Sequence, residues 1–133
     1  MKAAVLYGKE QIRVEDIALR PLQAGEVRVR IEAALTCGTD LKVYRRGCHA
    51  RMIVPPAVFG HELAGVVSEL GAGVAGWTAG DRVVVANSAP CGVCSACRHE
   101  QENLCDDLVF LNGAYAESIV VPARLVQKNL LRL

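Results

Sequence analysis

The residue pattern predicts a mostly β domain, a barrel or sandwich of short strands, and three observations carry that prediction. Val27, Val29, Ile31 and Ala33 alternate with Arg28, Arg30 and Glu32, the period-two pattern of a strand with one face buried. Arg82-Val83-Val84-Val85 is a β-branched run that suits a pleated surface. Glycines and prolines at 21, 25, 47, 55, 56, 71, 73, 76, 80, 92 and 113 cut the chain into pieces too short for a βαβ plan.

Taken in order, strands are expected at 2–7, 12–16, 26–35, 62–70 and 81–86. A last strand is expected through Tyr115-Ala116-Glu117-Ser118-Ile119-Val120-Val121, stopped by Pro122. Only 38–46 and 98–104 have the composition for short helices. Gly71-Ala72-Gly73-Val74-Ala75-Gly76 matches the letters of a dinucleotide-binding fingerprint. That fingerprint works only where the glycines open a helix whose N-terminus holds a pyrophosphate. Here a strand resumes at Arg82, and no acidic residue stands about 20 positions on for a ribose. The stretch reads as a loop between strands, with no cofactor assigned to it.

The chain has 133 residues, 52% of them hydrophobic and 22% charged, with a net charge of +1, which describes one ordinary globular domain. So even a balance argues against nucleic acid as a partner; the pairs Arg28/Arg30 and Arg45/Arg46 read as solvated faces. No run of about 18 apolar residues exists to span a membrane. The first residues, Met1-Lys2-Ala3-Ala4-Val5-Leu6-Tyr7, read as a strand and not as a secretory signal. A cytoplasmic, reducing compartment is expected, where six cysteines are better explained by metal than by disulfides.

Four of those cysteines form the most specific motif, Cys91-x-x-Cys94-x-x-Cys97 followed by Cys105. Two-residue gaps let successive thiolates turn back onto one point, and four thiolates close a tetrahedral zinc completely. A closed site has no room for substrate, so this zinc is expected to be structural, its binding energy serving as folding energy for the lobe. An iron–sulfur cluster, free thiols or disulfides are the alternatives. A zinc ribbon with a nucleic-acid partner fits the neutral charge poorly.

Upstream stand Cys37-Gly38-Thr39-Asp40, at the end of the strongest strand, and Gly60-His61-Glu62-Leu63-Ala64-Gly65. A thiolate, an imidazole and nearby carboxylates suit a catalytic zinc, which keeps an open position for water or a substrate oxygen. On residue types alone, a buried cysteine and a satisfied histidine are the plainer reading. The remaining candidates are modest. Cys48-His49 is expected at the surface or in the core rather than at a substrate pocket, His99 exposed rather than as a spare ligand, and Trp77, Tyr44 and Phe59 as packing residues.

Gly60-His61-Glu62-x-x-Gly65-x5-Gly71-x2-Val74 resembles the zinc signature of the medium-chain alcohol dehydrogenases. Cys37-Gly38-Thr39-Asp40, Gly80-Asp81-Arg82-Val83, the four-cysteine lobe and Gly113-Ala114-Tyr115-Ala116-Glu117 fall in that family's order. The resemblance covers essentially the whole chain, and its Cys-Gly-Thr-Asp form is most similar to the polyol and threonine dehydrogenase branch. It implies a GroES-like β-barrel with short helices and a zinc-binding lobe. It further implies that Cys37 and His61 ligate a catalytic zinc, with Glu62 beside it. Thr39 would pass the alcohol proton outward and Asp40 would orient His61. The chemistry it implies is Lewis-acid activation of a small alcohol or polyol, with hydride passing to NAD or NADP.

Family members are longer, with a Rossmann domain after the segment seen here. Their further zinc ligand lies beyond the lobe, and Asp106, Asp107 and Glu117 do not sit in that motif. The expectation is therefore an N-terminal fragment spanning 1–133 with the cofactor domain missing. Its catalytic site would be incomplete (two ligands plus Glu62), and it would be inactive alone. The whole enzyme would be a dimer or tetramer. The competing class is a zinc-stabilised binding or assembly module without enzymatic activity.

Overall fold

The computed structural model describes all 133 residues. Ten strands and three helices follow in the order β1 (Lys2–Gly8), β2 (Gln11–Asp16), β3 (Val27–Leu35), α1 (Gly38–Arg46), β4 (Ala57–Val58), β5 (Glu62–Leu70), β6 (Arg82–Val85), β7 (Ser88–Ala89), α2 (Ser95–Arg98), β8 (Val109–Phe110), β9 (Ser118–Val121), α3 (Ala123–Lys128) and β10 (Leu130–Arg132). A 3₁₀ turn covers Glu102–Leu104, so the helix expected over 98–104 is in fact two shorter pieces on either side of residues 99–101.

Strand pairing gives a five-stranded sheet in the order β10-β6-β5-β3-β9, a three-stranded sheet β2-β1-β4 and a two-stranded ribbon β7-β8. The architecture is mostly β, as expected, but its ladders stay in three separate sheets and close no barrel. All pairs in the five-stranded sheet are antiparallel, although only the β5–β6 pair joins strands consecutive in the chain. Gly71–Gly76 lies in the loop between β5 and β6, as read from the sequence.

Alternation explains the main core. Val27, Val29, Val83 and Val121 point inward and are completely buried, and Leu125 from α3 closes the same cluster. Each such side chain contributes roughly 1.5–3 kcal/mol relative to exposure. A smaller cluster of Leu6, Val43, Ile53 and Phe59 fixes α1 against the three-stranded sheet.

Arg28 corrects the sequence reading. It is not a solvated residue: only 7% of it is exposed, because the segment carrying Arg20 crosses over that face of β3. Its Nη2 donates to the Arg20 carbonyl at 2.8 Å, and its Nε lies 3.1 Å from Glu69 Oε2. Arg30, two residues on, is exposed as expected. Alternation marks which residues share a face, but not which of those faces a distant segment will cover.

One local irregularity positions the site. The β3–β5 ladder shifts register between Ile31 and Ala33, opposite Gly65, and beyond the shift Leu35 pairs with Glu62. Any side chain at Gly65 would drive its Cβ into the Arg30 carbonyl. The glycine therefore lets the two backbones approach at the bulge. The corrected register brings the end of β3, which leads into Cys37, beside the start of β5, which follows His61.

Candidate metal centres

Cys37 caps the N-terminus of α1. Its sulfur accepts from the Thr39 amide at 3.2 Å, while Asp40 Oδ2 accepts from the Cys37 amide at 3.0 Å, a reciprocal capping box. The other oxygen of Asp40 faces His61, with Oδ1 3.1 Å from Nδ1. Both residues are buried, Asp40 to 2% exposure and His61 to 4%. An acceptor at Nδ1 holds the proton there and leaves Nε2 as a lone-pair donor. That nitrogen lies 3.4 Å from Cys37 Sγ and 3.9 Å from Glu62 Oε1.

The donor set fits a divalent zinc-like ion. Tetrahedral ligation at the usual bond lengths separates a thiolate sulfur and an imidazole nitrogen by roughly 3.5 Å, close to the distance found. Ligand atoms of Cys37, His61 and Glu62 all lie within 4.8 Å of one another. A cleft of about 510 Å³ opens at this point, lined by His61, Glu62 and Asn87 among apolar residues including Leu35, Leu63 and Val84.

In the lobe, the ligand atoms of Cys91, Cys94, Cys97 and Cys105 also gather within 4.8 Å. Cys94 and Cys97 sulfurs are 3.5 Å apart and those of Cys91 and Cys97 4.0 Å, bracketing the roughly 3.8 Å expected between thiolates on one tetrahedral ion. Backbone amides already turn toward the sulfurs: Cys94 N–H donates to Cys91 at 3.4 Å and Cys91 N–H to Cys105 at 3.2 Å. The amides of Cys97 and Asp106 hold the Cys94 thiol down at about 6. Burial, first, and the neighbouring sulfurs push Cys97 up to about 12. Four thiols packed this closely cannot all ionise without a counter-charge, which a dication supplies.

Thr39, half-buried, sits on the first turn of α1. His99 lies within the lobe but is not among the clustered ligand atoms; it is exposed, with Nδ1 2.8 Å from the Ser95 carbonyl. His49 Nδ1 accepts from the Arg51 and Met52 amides at 3.3 and 3.1 Å and so shapes its own turn. Cys48 is exposed. Phe59 is core and Tyr44 packs on it; Trp77 packs partly buried against the main cluster.

Sequence reasoning missed two features. Asp40 serves the helix cap as well as His61, which the S/T-x-x-E form of a capping box does not reveal when cysteine takes the first place. Tyr115 touches both halves of the site, a contact that nothing local in the sequence announces. Its hydroxyl lies 2.7 Å from Thr36 Oγ1 and 3.2 Å from the Leu35 carbonyl. Its ring meets Phe59 edge-on at 5.6 Å.

The chain is similar over nearly its whole length to known dehydrogenases. Over 97% of its length the chain is 41% identical to L-threonine 3-dehydrogenase from Pyrococcus abyssi, of which it covers 38%. It is 35% identical to sorbitol dehydrogenase from Bacillus subtilis, over 90% of this chain and 35% of the relative. Its backbone superposes on alcohol dehydrogenase TADH from Thermus sp. ATN1 with a TM-score of 0.82 at 34% identity, covering 100% of this chain and 40% of that one. Galactitol-1-phosphate dehydrogenase from Escherichia coli gives 0.85 at 28% identity, covering 100% and 38%. The chain thus spans well under half the length of the proteins it matches. Residues 23–130 match the alcohol dehydrogenase GroES-like domain, and the chain belongs to that family.

Proposed function

We propose that this chain is the metal-binding catalytic domain of a zinc-dependent dehydrogenase that oxidises a small alcohol or polyol with NAD or NADP. The observation that carries the reading is the placement of Cys37 Sγ at Nε2 and Asp40 Oδ1 at Nδ1 of the His61 imidazole, which lines a mostly apolar cleft. Relatives named as acting on threonine, sorbitol and L-idonate support a hydroxylated secondary alcohol as the substrate class.

Cys37, His61 and, beside them, Glu62 would hold the catalytic zinc; Cys91, Cys94, Cys97 and Cys105 would hold a second, structural one. Zinc at the first site supplies Lewis acidity, lowering the pKa of an alcohol oxygen. Asp40 keeps the His61 proton on Nδ1 and fixes the ring plane. The Thr39 hydroxyl would accept the alcohol proton as it releases its own outward, while Leu35, Leu63 and Val84 form an apolar wall of the cleft. Residues 1–133 would form one GroES-like domain. A nucleotide-binding domain beyond it would present the nicotinamide, and with it the whole protein would form a homo-oligomer. Gathered thiols without a disulfide and the near-neutral charge support a cytoplasmic setting and no nucleic-acid partner.

Metal analysis of the purified, reduced chain tests the reading. Tight binding of one zinc, and weaker binding of a second that Cys37→Ser and His61→Ala both abolish, is the expected result. A chain that binds no zinc, or whose second ion ignores both substitutions, would refute it. Binding without any activity, even when a nucleotide-binding domain is supplied, would favour the non-enzymatic module instead.

A further inference from the structure

The Gly113–Glu117 segment has no part in the chemistry above, yet it touches the chain just ahead of both candidate ligands. Gly113 and Ala114 amides donate to the Gly60 carbonyl at 2.8 and 3.0 Å, and the Tyr115 amide donates to the Phe59 carbonyl at 2.9 Å. These bonds fix the two residues before His61. The side chain of Tyr115 then reaches across to the residues before Cys37. Its hydroxyl can donate to the Leu35 carbonyl while the Thr36 hydroxyl donates to it.

The ring occupies space that only a glycine at 60 leaves open. Gly60 has a φ of +84°, and a Cβ there would lie 2.6 Å from the ring, so Gly60 satisfies both its backbone conformation and this contact. Tyr115 is also the one residue packed partly buried against both hydrophobic clusters. Leu35 is the last residue of β3 to pair with β5, opposite Glu62, and Thr36 follows it beyond the strand; both have exposed side chains.

We infer that Tyr115 is a positioning residue, a latch that sets the Cys37–His61 separation by clamping the two chain segments that enter the site. The inference rests on the metal reading of Cys37 and His61, and two measurements separate its failure from a failure of that reading. Tyr115→Phe keeps the ring against Gly60 and Phe59 and removes only the hydroxyl.

In the first, the chain with its four-cysteine lobe filled by zinc is titrated with Co²⁺ under competition from a chelator. Tyr115→Phe should weaken the Cys37–His61 site roughly 3- to 10-fold, the range of one hydrogen bond. It should also alter that site's cobalt d–d bands, with the lobe's affinity unchanged. Wild-type affinity and spectrum in the variant would overturn the latch; a wild-type chain that takes no second ion would overturn the reading beneath it. In the second, the metal-free chain is alkylated with iodoacetamide and each cysteine followed by peptide mass. The variant should expose Cys37 to faster reaction by a similar factor, with exposed Cys48 as the internal control. Equal Cys37 rates would count against the latch whatever the metal does.

Discussion

Asp40 concentrates two duties in one side chain, since its oxygens separately serve the Cys37 amide and His61 Nδ1. Losing a helix cap costs about 1 kcal/mol, and leaving a buried ring N–H without a partner costs roughly 1–3 kcal/mol more. Asp40→Ala should therefore destabilise the chain by about 2–4 kcal/mol in urea unfolding, and Asp40→Asn, which still caps, by clearly less. A second residue-scale test concerns Glu26. It is buried and bidentate with Arg20, at 2.7 and 2.8 Å. The Arg20 guanidinium, chiefly, holds its carboxyl below the ordinary 4.5. A depressed carboxylate adds stability above its unfolded pKa and loses it as pH falls through the folded value. Stability should thus drop more steeply below about pH 4.5 in the wild type than in Glu26→Gln. Parallel stability curves for the two proteins would show that the pair contributes nothing. The four lobe cysteines stood out by spacing alone, whereas the grouping of Cys37, His61 and Glu62 came from the family resemblance; the burial of Arg28 and the reach of Tyr115 were not legible, because each depends on segments far away in sequence.

Among elements, the long strands and the first helix were legible. β5 and α1 match the residues expected of them, 62–70 and 38–46, each closed by a glycine that punctuates the chain, Gly71 and Gly47. The two-residue strands β4, β7 and β8 went unread, as did α3 and β10. Such short pieces have too few turns of any period to show one, and tertiary packing of Leu125, Val126 and Leu130 decides them. The bulge at Gly65 is likewise invisible in the sequence, though the glycine marking it is not. Gly65→Ala must separate β3 from β5, and a cost of roughly 1–3 kcal/mol is expected, read by urea unfolding. Co²⁺ affinity at Cys37–His61 should fall with it, because the register sets the site. The lobe behaves as a different kind of element, having Cys105 as its one buried cysteine and little core beyond it. Chelation should raise amide exchange across 91–105 by orders of magnitude while β3 and β5 stay protected.

At the scale of the molecule, a five-stranded sheet carries the cleft, and the cysteine lobe is the excursion between β7 and β8. The chain covers 38% of its threonine dehydrogenase relative. Purified alone, it should show no NAD- or NADP-dependent oxidation of threonine, sorbitol or simple secondary alcohols in a nicotinamide absorbance assay. Sustained turnover would place the cofactor site within these residues. Trp77 offers a way to watch the two regions apart. It is the sole tryptophan, and the Arg132 guanidinium on β10 sits 5.0 Å from its ring centre. Its fluorescence therefore reports whether the last strand stays docked beside β6. Emission that holds steady while metal is stripped would identify a local opening; emission that shifts with it would mean that the lobe and the sheet come apart together.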